Sequence, residues 1–116
     1  MDIIGLFAAV HVTDLARAEA FYTKVIGRAP DMKPMPFLTQ WVGLGGAAGV
    51  QLFLEPAKAG HGLMTIVTPD VEAAGKLFAQ AGLTLGEIQR GPFGAVAHID
   101  DPDGNRVFST EPPKGA

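Results

Sequence analysis

The side chains able to move a proton or hold a metal are few here: three histidines, His11, His61 and His98, and a carboxylate cluster at Asp100, Asp101 and Asp103. A histidine on a cleft wall can act as acid or base because its ordinary pKa lies near neutrality. His11 therefore stands as the weak candidate for catalysis. A site made from His11, His98 and Asp100 would draw ligands from separate strands, and no spacing in the chain joins them into a chelating motif. Asp101-Pro102-Asp103-Gly104-Asn105 reads more simply as a turn, with the carboxylates bonding local amides and Gly104 taking a positive φ. There is no cysteine, hence no thiolate nucleophile or thiolate ligand, and the cytoplasm is the expected compartment. Ser109 is the only serine and lacks the surroundings of an activated nucleophile. Gly43, Gly45, Gly46 and Gly49 precede no helix, so they describe a hairpin rather than a phosphate-binding loop.

The elements that carry these residues occur twice. Asp14-Leu15-x-x-Ala18-x-x-x-Tyr22 returns 56 residues later as Asp70-Val71-x-x-Ala74-x-x-x-Phe78, and Glu55-Pro56 returns as Glu111-Pro112. Such a repeat in a chain of 116 residues means two copies of one supersecondary unit within a single domain, module one spanning about 3–56 and module two about 62–111. Residues 3–12 read as a strand, and Asp14 caps a helix with Leu15, Ala18, Tyr22, Val25 and Ile26 on one face and Gly27 at its end. Residues 31–36 form a connection, followed by strands near 37–43 and 48–55 around the Gly45-Gly46 turn. In the second copy a strand at 63–68 leads into a helix capped by Asp70 and ended by Gly82. Strands near 84–90, 94–100 and 106–110 complete it, and 112–116 form a frayed tail. The fold expected is α+β, two βαβββ modules related by a pseudo-twofold repeat. With helices on one face, their sheets curl around an open cleft.

Net charge is −3 with Lys and Arg scattered singly, so nucleic acid is not an expected partner. No apolar run is long enough to span a bilayer, and Met1-Asp2-Ile3-Ile4 has no signal-peptide pattern.

Val12-Thr13-Asp14-Leu15 leading into Phe21-Tyr22-Thr23-Lys24-Val25-Ile26-Gly27, then Thr68-Pro69-Asp70-Val71 and Asp101-Pro102-Asp103-Gly104-Asn105-Arg106, resembles the vicinal-oxygen-chelate superfamily. That group includes glyoxalase I, extradiol dioxygenases, fosfomycin-resistance enzymes and bleomycin-resistance proteins. The resemblance implies paired modules around a cleft and, frequently, a homodimer. It also implies four inward metal-ligand positions, which fall here on Phe7, Leu63, Phe108 and either Leu52 or, with a one-residue shift, Gln51. None of Phe, Leu, Leu and Phe donates to a metal, and a lone Gln amide does not hold a divalent ion against water. The expectation is therefore a protein without metal or cofactor that holds a small organic molecule in an apolar cleft, as in the bleomycin-resistance branch. The expected pocket residues are Phe7, His11, Phe37, Trp41, Gln51, Leu52, Leu63, Thr65 and Phe108, with Gln40 as a further polar group and Phe93 as a further aromatic. The alternatives are a metal-dependent lyase or dioxygenase with relocated ligands, a metal-independent isomerase or lyase using His11 as general base, and a pure interaction module.

Overall fold

Asp14 and Asp70 begin the two helices in the same way. Each sits in extended backbone, its carboxylate accepting from the amide three residues on, Arg17 at 3.0 Å and Ala73 at 3.1 Å. Helix α1 (Leu15–Ile26) buries Leu15, Ala18, Phe21 and Tyr22, and Gly27 stops it at φ 91°. Helix α2 (Val71–Gln80) buries Val71 and Phe78. Ala81 caps it before Gly82 turns left-handed.

In the computed structural model, which describes residues 1–114, eight strands complete the chain. Module one contributes β1 (Leu6–Val12), β2 (Met32–Met35), β3 (Leu38–Leu44) and β4 (Ala48–Leu54). Module two contributes β5 (Leu63–Val67), β6 (Gln89–Gly91), β7 (Gly94–Asp100) and β8 (Arg106–Glu111). The sheets run β1-β4-β3-β2 and β5-β8-β7-β6, with one parallel pair in each, β1 with β4 and β5 with β8. The architecture is α+β, two like βαβββ modules with open sheets.

The expected strands and helices stand with three differences. Residues 31–36 are not a bare connection, because Met32–Met35 pairs with β3 as an edge strand. All four of its residues are exposed, so no alternation marked it, and Pro34 is tolerated because an edge strand bonds on one side only. The stretch 84–90 is mostly irregular. Only Gln89–Gly91 pairs with β7, and Gly86 N–H reaches His98 O in a single bond at 2.9 Å. Finally, β1 begins at Leu6 rather than at residue 3. The expected tail extends to residues 115–116, which lie outside the described residues.

Strand alternation splits every sheet into two faces. Toward the helices point Val10, Val12, Val50 and Leu52 from module one, and Met64, Ala95, Ala97 and Val107 from module two, all buried. One cluster joins Tyr22, Trp41, Val10 and Leu52 to Met64 and Val107, so α1 is packed by both modules. A smaller cluster of Val71, Ala95 and Ala97 lies under α2. The molecule is 24 Å through its shortest axis. One helix layer and one sheet layer account for that depth, leaving the far face of the sheets uncovered.

The modules are joined by the turn between β7 and β8. Asp101 Oδ1 accepts from the amides of Asp103 and Asn105, both at 2.9 Å. Its Oδ2 accepts from Tyr22 Oη and Asn105 Nδ2, both at 2.8 Å. Asn105, fully buried, receives Gly62 N–H at 2.7 Å and donates to His11 O at 2.9 Å. Asp103 binds the Thr13 amide and hydroxyl and the Arg17 guanidinium. The turn is wedged so close that a Cβ on Gly60 would stand 2.3 Å from Asp103 O, and one on Gly62 2.8 Å from Val10 Cγ1. Burial, and the Asp101 carboxylate it donates to, push the Tyr22 phenol far above its ordinary range.

Asn105→Ala leaves Gly62 N–H, His11 O and one Asp101 lone pair unsatisfied, and is expected to lower urea-unfolding stability by about 2–4 kcal/mol. Arg17→Ala removes a half-exposed guanidinium from the largely buried Asp103 carboxylate, which keeps its two Thr13 bonds, and should cost less, about 1–2 kcal/mol in the same assay. Tyr22 is the only tyrosine, so its ionisation can be read alone at 295 nm. With its folded pKa raised, its contribution is complete below the ordinary value of about 10 and is lost as pH rises beyond it. The native protein should therefore show no phenolate absorbance until it unfolds, and Tyr22→Phe should flatten the loss of stability across that alkaline window.

Candidate functional site

A cavity of about 580 Å³ lies between the first half of β1, Leu6–Ala8, and the second half of β5, Met64–Val67. Val25 and Ile26 from the end of α1 and Leu44–Gly45 with Ala48–Val50 complete its wall. Its existence follows from a difference between the copies. In the repeat, the β3–β4 hairpin corresponds to the β7–β8 turn. The latter wedges Asp101, Asp103 and Asn105 between the modules; the former has only glycines and alanines at its tip, with Gly45 at φ 57° and Gly46 at φ 95°. There the backbone of Ala47 takes the bond to Leu6 N–H at 3.2 Å, and among the described residues no side chain fills the space beyond.

The strand registers settle the uncertain position in β4. Ala9 pairs with Gln51, and its repeat counterpart Thr65 pairs with Phe108. The displacement is thus 56 residues between Ala9 and Thr65, 58 between Gln40 and His98, and 57 between Gln51 and Phe108, so the copies fall out of step between the helix and the hairpin. Gln51, not Leu52, shares the open face with Phe108. Leu52 pairs with Val10 on the helix side and is fully buried. Trp41 is fully buried as well, its indole N–H donating to Arg28 O at 2.9 Å. Both are core residues, because the face they occupy is the one that α1 covers.

Of the other expected residues, Phe7 and Thr65 line the cavity. Leu63 is exposed on the open face, and Phe108 packs edge-on to His98 with ring centroids 5.6 Å apart. Gln51 Nε2 donates to Gln40 Oε1 at 3.0 Å, forming an amide pair on the open face. His11 lies beside Phe53, with Nε2 3.4 Å from Glu55 Oε2. Phe37 is exposed between β2 and β3, and Phe93 is exposed beside Gly91. Asp100 is engaged by Arg106 at 3.0 Å, whose hydrogen bond holds its carboxyl below the usual range. Among the described residues, no three His, Asp or Glu side chains come close enough to share an ion, so His11, His98 and Asp100 are not brought together. Sequence reasoning passed over Met64, Ile66, Val25 and Ile26, which lack any chemical signal. It also passed over Gly49, whose place inside a strand was itself the sign of a close approach.

A family model described as the Glyoxalase/Bleomycin resistance protein/Dioxygenase superfamily matches residues 4–107. The chain belongs to this superfamily. Among solved structures it is similar to a glyoxalase/bleomycin resistance protein from Catenulispora acidiphila, at 26% identity and TM-score 0.85, covering 96% of this chain and all of that one. It also shares its fold with an antibiotic-binding protein from Streptomyces sp. CB03234, at 24% identity and TM-score 0.81 over 97% of this chain and 98% of the other. A lactoylglutathione lyase from Agrobacterium tumefaciens matches at 24% identity and TM-score 0.75, over 91% of each chain. A comparison with curated proteins gives no match. No helix among the described residues is long and apolar enough to cross a membrane.

The four positions where the superfamily resemblance places metal ligands hold Phe7, Gln51, Leu63 and Phe108. One neutral amide oxygen among three hydrocarbon side chains does not fit a divalent ion. The placement of Leu52 and Gln51 is checked by paired truncations. Leu52→Ala is expected to lower unfolding stability by about 2–5 kcal/mol, and Gln51→Ala by about 0.5 kcal/mol or less, in parallel urea titrations.

Proposed function

We propose that this chain is a metal-free small-molecule-binding protein that holds an organic ligand in the apolar cavity between β1 and β5. The observation that carries the reading is the wall itself. At about 580 Å³ the cavity has the volume of a small-molecule site, and its lining is hydrocarbon except for the Thr65 hydroxyl, the Met64 thioether and the backbone. Support comes from the donor-poor ligand positions and from the fold shared with an antibiotic-binding protein. The protein works as a homodimer in this reading, since Phe7, Leu63 and Val67 are 45%, 62% and 67% exposed on one side of the sheets. Its setting is the cytoplasm, with neither nucleic acid nor membrane as partner.

A second reading, a metal-independent isomerase or lyase, is favoured by one observation. The His11 imidazole is 3.4 Å from the Glu55 carboxylate on the open face, the arrangement that orients a general base. Under that reading His11→Ala abolishes turnover while leaving ligand affinity within about twofold, a split that simple binding does not predict.

The test of the main reading is native mass spectrometry of freshly purified protein, followed by calorimetric titration with a panel of uncharged organic compounds. Thr65→Trp, at an exposed wall position, should weaken binding at least about tenfold without moving the unfolding midpoint. Stoichiometric metal that survives gel filtration and disappears in Gln51→Ala would falsify the metal-free assignment.

A further inference from the structure

Among the described residues Phe7 is the only aromatic side chain in the cavity wall. Its ring lies over Gly49, where a Cβ would stand 2.4 Å from Phe7 Cε1, 2.7 Å from Cδ1 and 2.5 Å from Trp41 O. With no side chain beneath it, the ring settles onto the backbone of β4 and still keeps 45% of the residue exposed. The next residue on the same face of β1 is Ala9, opposite Gln51, so a small side chain rather than a bulky one borders the ring. Module two is the internal contrast. Leu63, the counterpart of Phe7, pairs with Arg106 where Phe7 pairs with Gly49, so the aromatic ring at this position belongs to module one alone.

The hydroxyl of Thr65 is in the wall, and outside the lining, on the same open face as Phe7, stands Gln51. Gln51 Nε2 is used by Gln40, and Gln40 Nε2 lies 3.3 Å from Met32 Sδ. Among the described residues nothing donates to Gln51 Oε1, which is left as an acceptor on the open face. Successive side chains on one face of a strand stand about 7 Å apart, which places residue Gln51 one step along β4 from Gly49, within the span of a two-ring ligand lying on Phe7. No charged side chain lines the cavity among the described residues, so an ionic ligand would lose its hydration without recompense.

We propose that the site selects an uncharged, planar, fused aromatic ring system that packs on Phe7 and presents a hydrogen-bond donor to Gln51 Oε1. This rests on the ligand-binding reading above and adds the chemical class. Ring-on-ring contact contributes beyond the apolar area buried, enough for an affinity preference of about two- to tenfold over a saturated ligand of the same skeleton.

The probes are 2-naphthol, decahydro-2-naphthol and 2-methylnaphthalene, titrated by calorimetry into the full chain, wild type, Phe7→Leu and Gln51→Leu. Wild type should bind 2-naphthol about two- to tenfold more tightly than decahydro-2-naphthol, and Phe7→Leu should bind the two equally. Gln51→Leu should remove the preference of 2-naphthol over 2-methylnaphthalene while keeping the aromatic one. Circular dichroism and unfolding midpoints like those of wild type establish that the variants are folded. Equal binding of aromatic and saturated probes by wild type, or an aromatic preference that survives Phe7→Leu, overturns the assignment of ligand class and leaves the ligand-binding reading in place. Binding of none of the three probes, with other uncharged compounds of the panel bound, also overturns the class alone. No binding by any compound overturns both.

Discussion

The turn that joins the two modules is organised around one carboxylate. Asp101 is nearly buried, and its two oxygens accept four hydrogen bonds, two that shape its own turn, one from Asn105 and one from Tyr22 in the other module. A buried charge without partners would be strongly destabilising, whereas one with every lone pair engaged fixes the geometry of whatever donates to it. Because the turn is held rigid, Asn105 can reach the backbone of β1 and the amide before β5 together. The relative setting of the sheets, and with it the spacing across which Met64 and Val107 meet Tyr22 and Trp41, depends on that bond set.

The same turn accounts for the cavity by contrast. Two modules that were true copies would fill the space between them equally at both ends. Here one end receives a side-chain wedge and the other a hairpin tip of Gly and Ala, so the apolar walls at the second end face a void instead of each other. The cavity is thus a product of sequence divergence in connections, with the strands and helices that enclose it kept alike.

The architecture was legible because its signals are local and repeated. Asp14 and Asp70 are caps with extended backbone in both copies, and Gly27 is the helix stop it resembles. The strand Met32–Met35 was illegible because nothing about four exposed residues, one of them proline, announces a partner that only tertiary structure supplies. At the site, Phe7 and Thr65 could be placed from strand alternation, as each belongs to a strand anchored by the helix cap that follows it, Asp14 or Asp70. Leu52 and Trp41 could not. A one-residue change of offset flips every later side chain to the opposite face, and the repeat alone did not say where between helix and hairpin the copies fall out of step. Gly49 carried a readable sign, a glycine within a strand, whose meaning needed the position of the Phe7 ring.

Trp41 and Tyr22, the chain's single tryptophan and tyrosine, stand in one cluster and are both fully buried. Near-ultraviolet light therefore samples the first module and its contact with the second, while the smaller cluster of Val71, Ala95 and Ala97 carries no strong chromophore. The two halves of a duplicated chain are thereby optically unequal. Loosening beneath the second helix passes unseen by intrinsic fluorescence, which registers only the parting of the halves or the melting of the first.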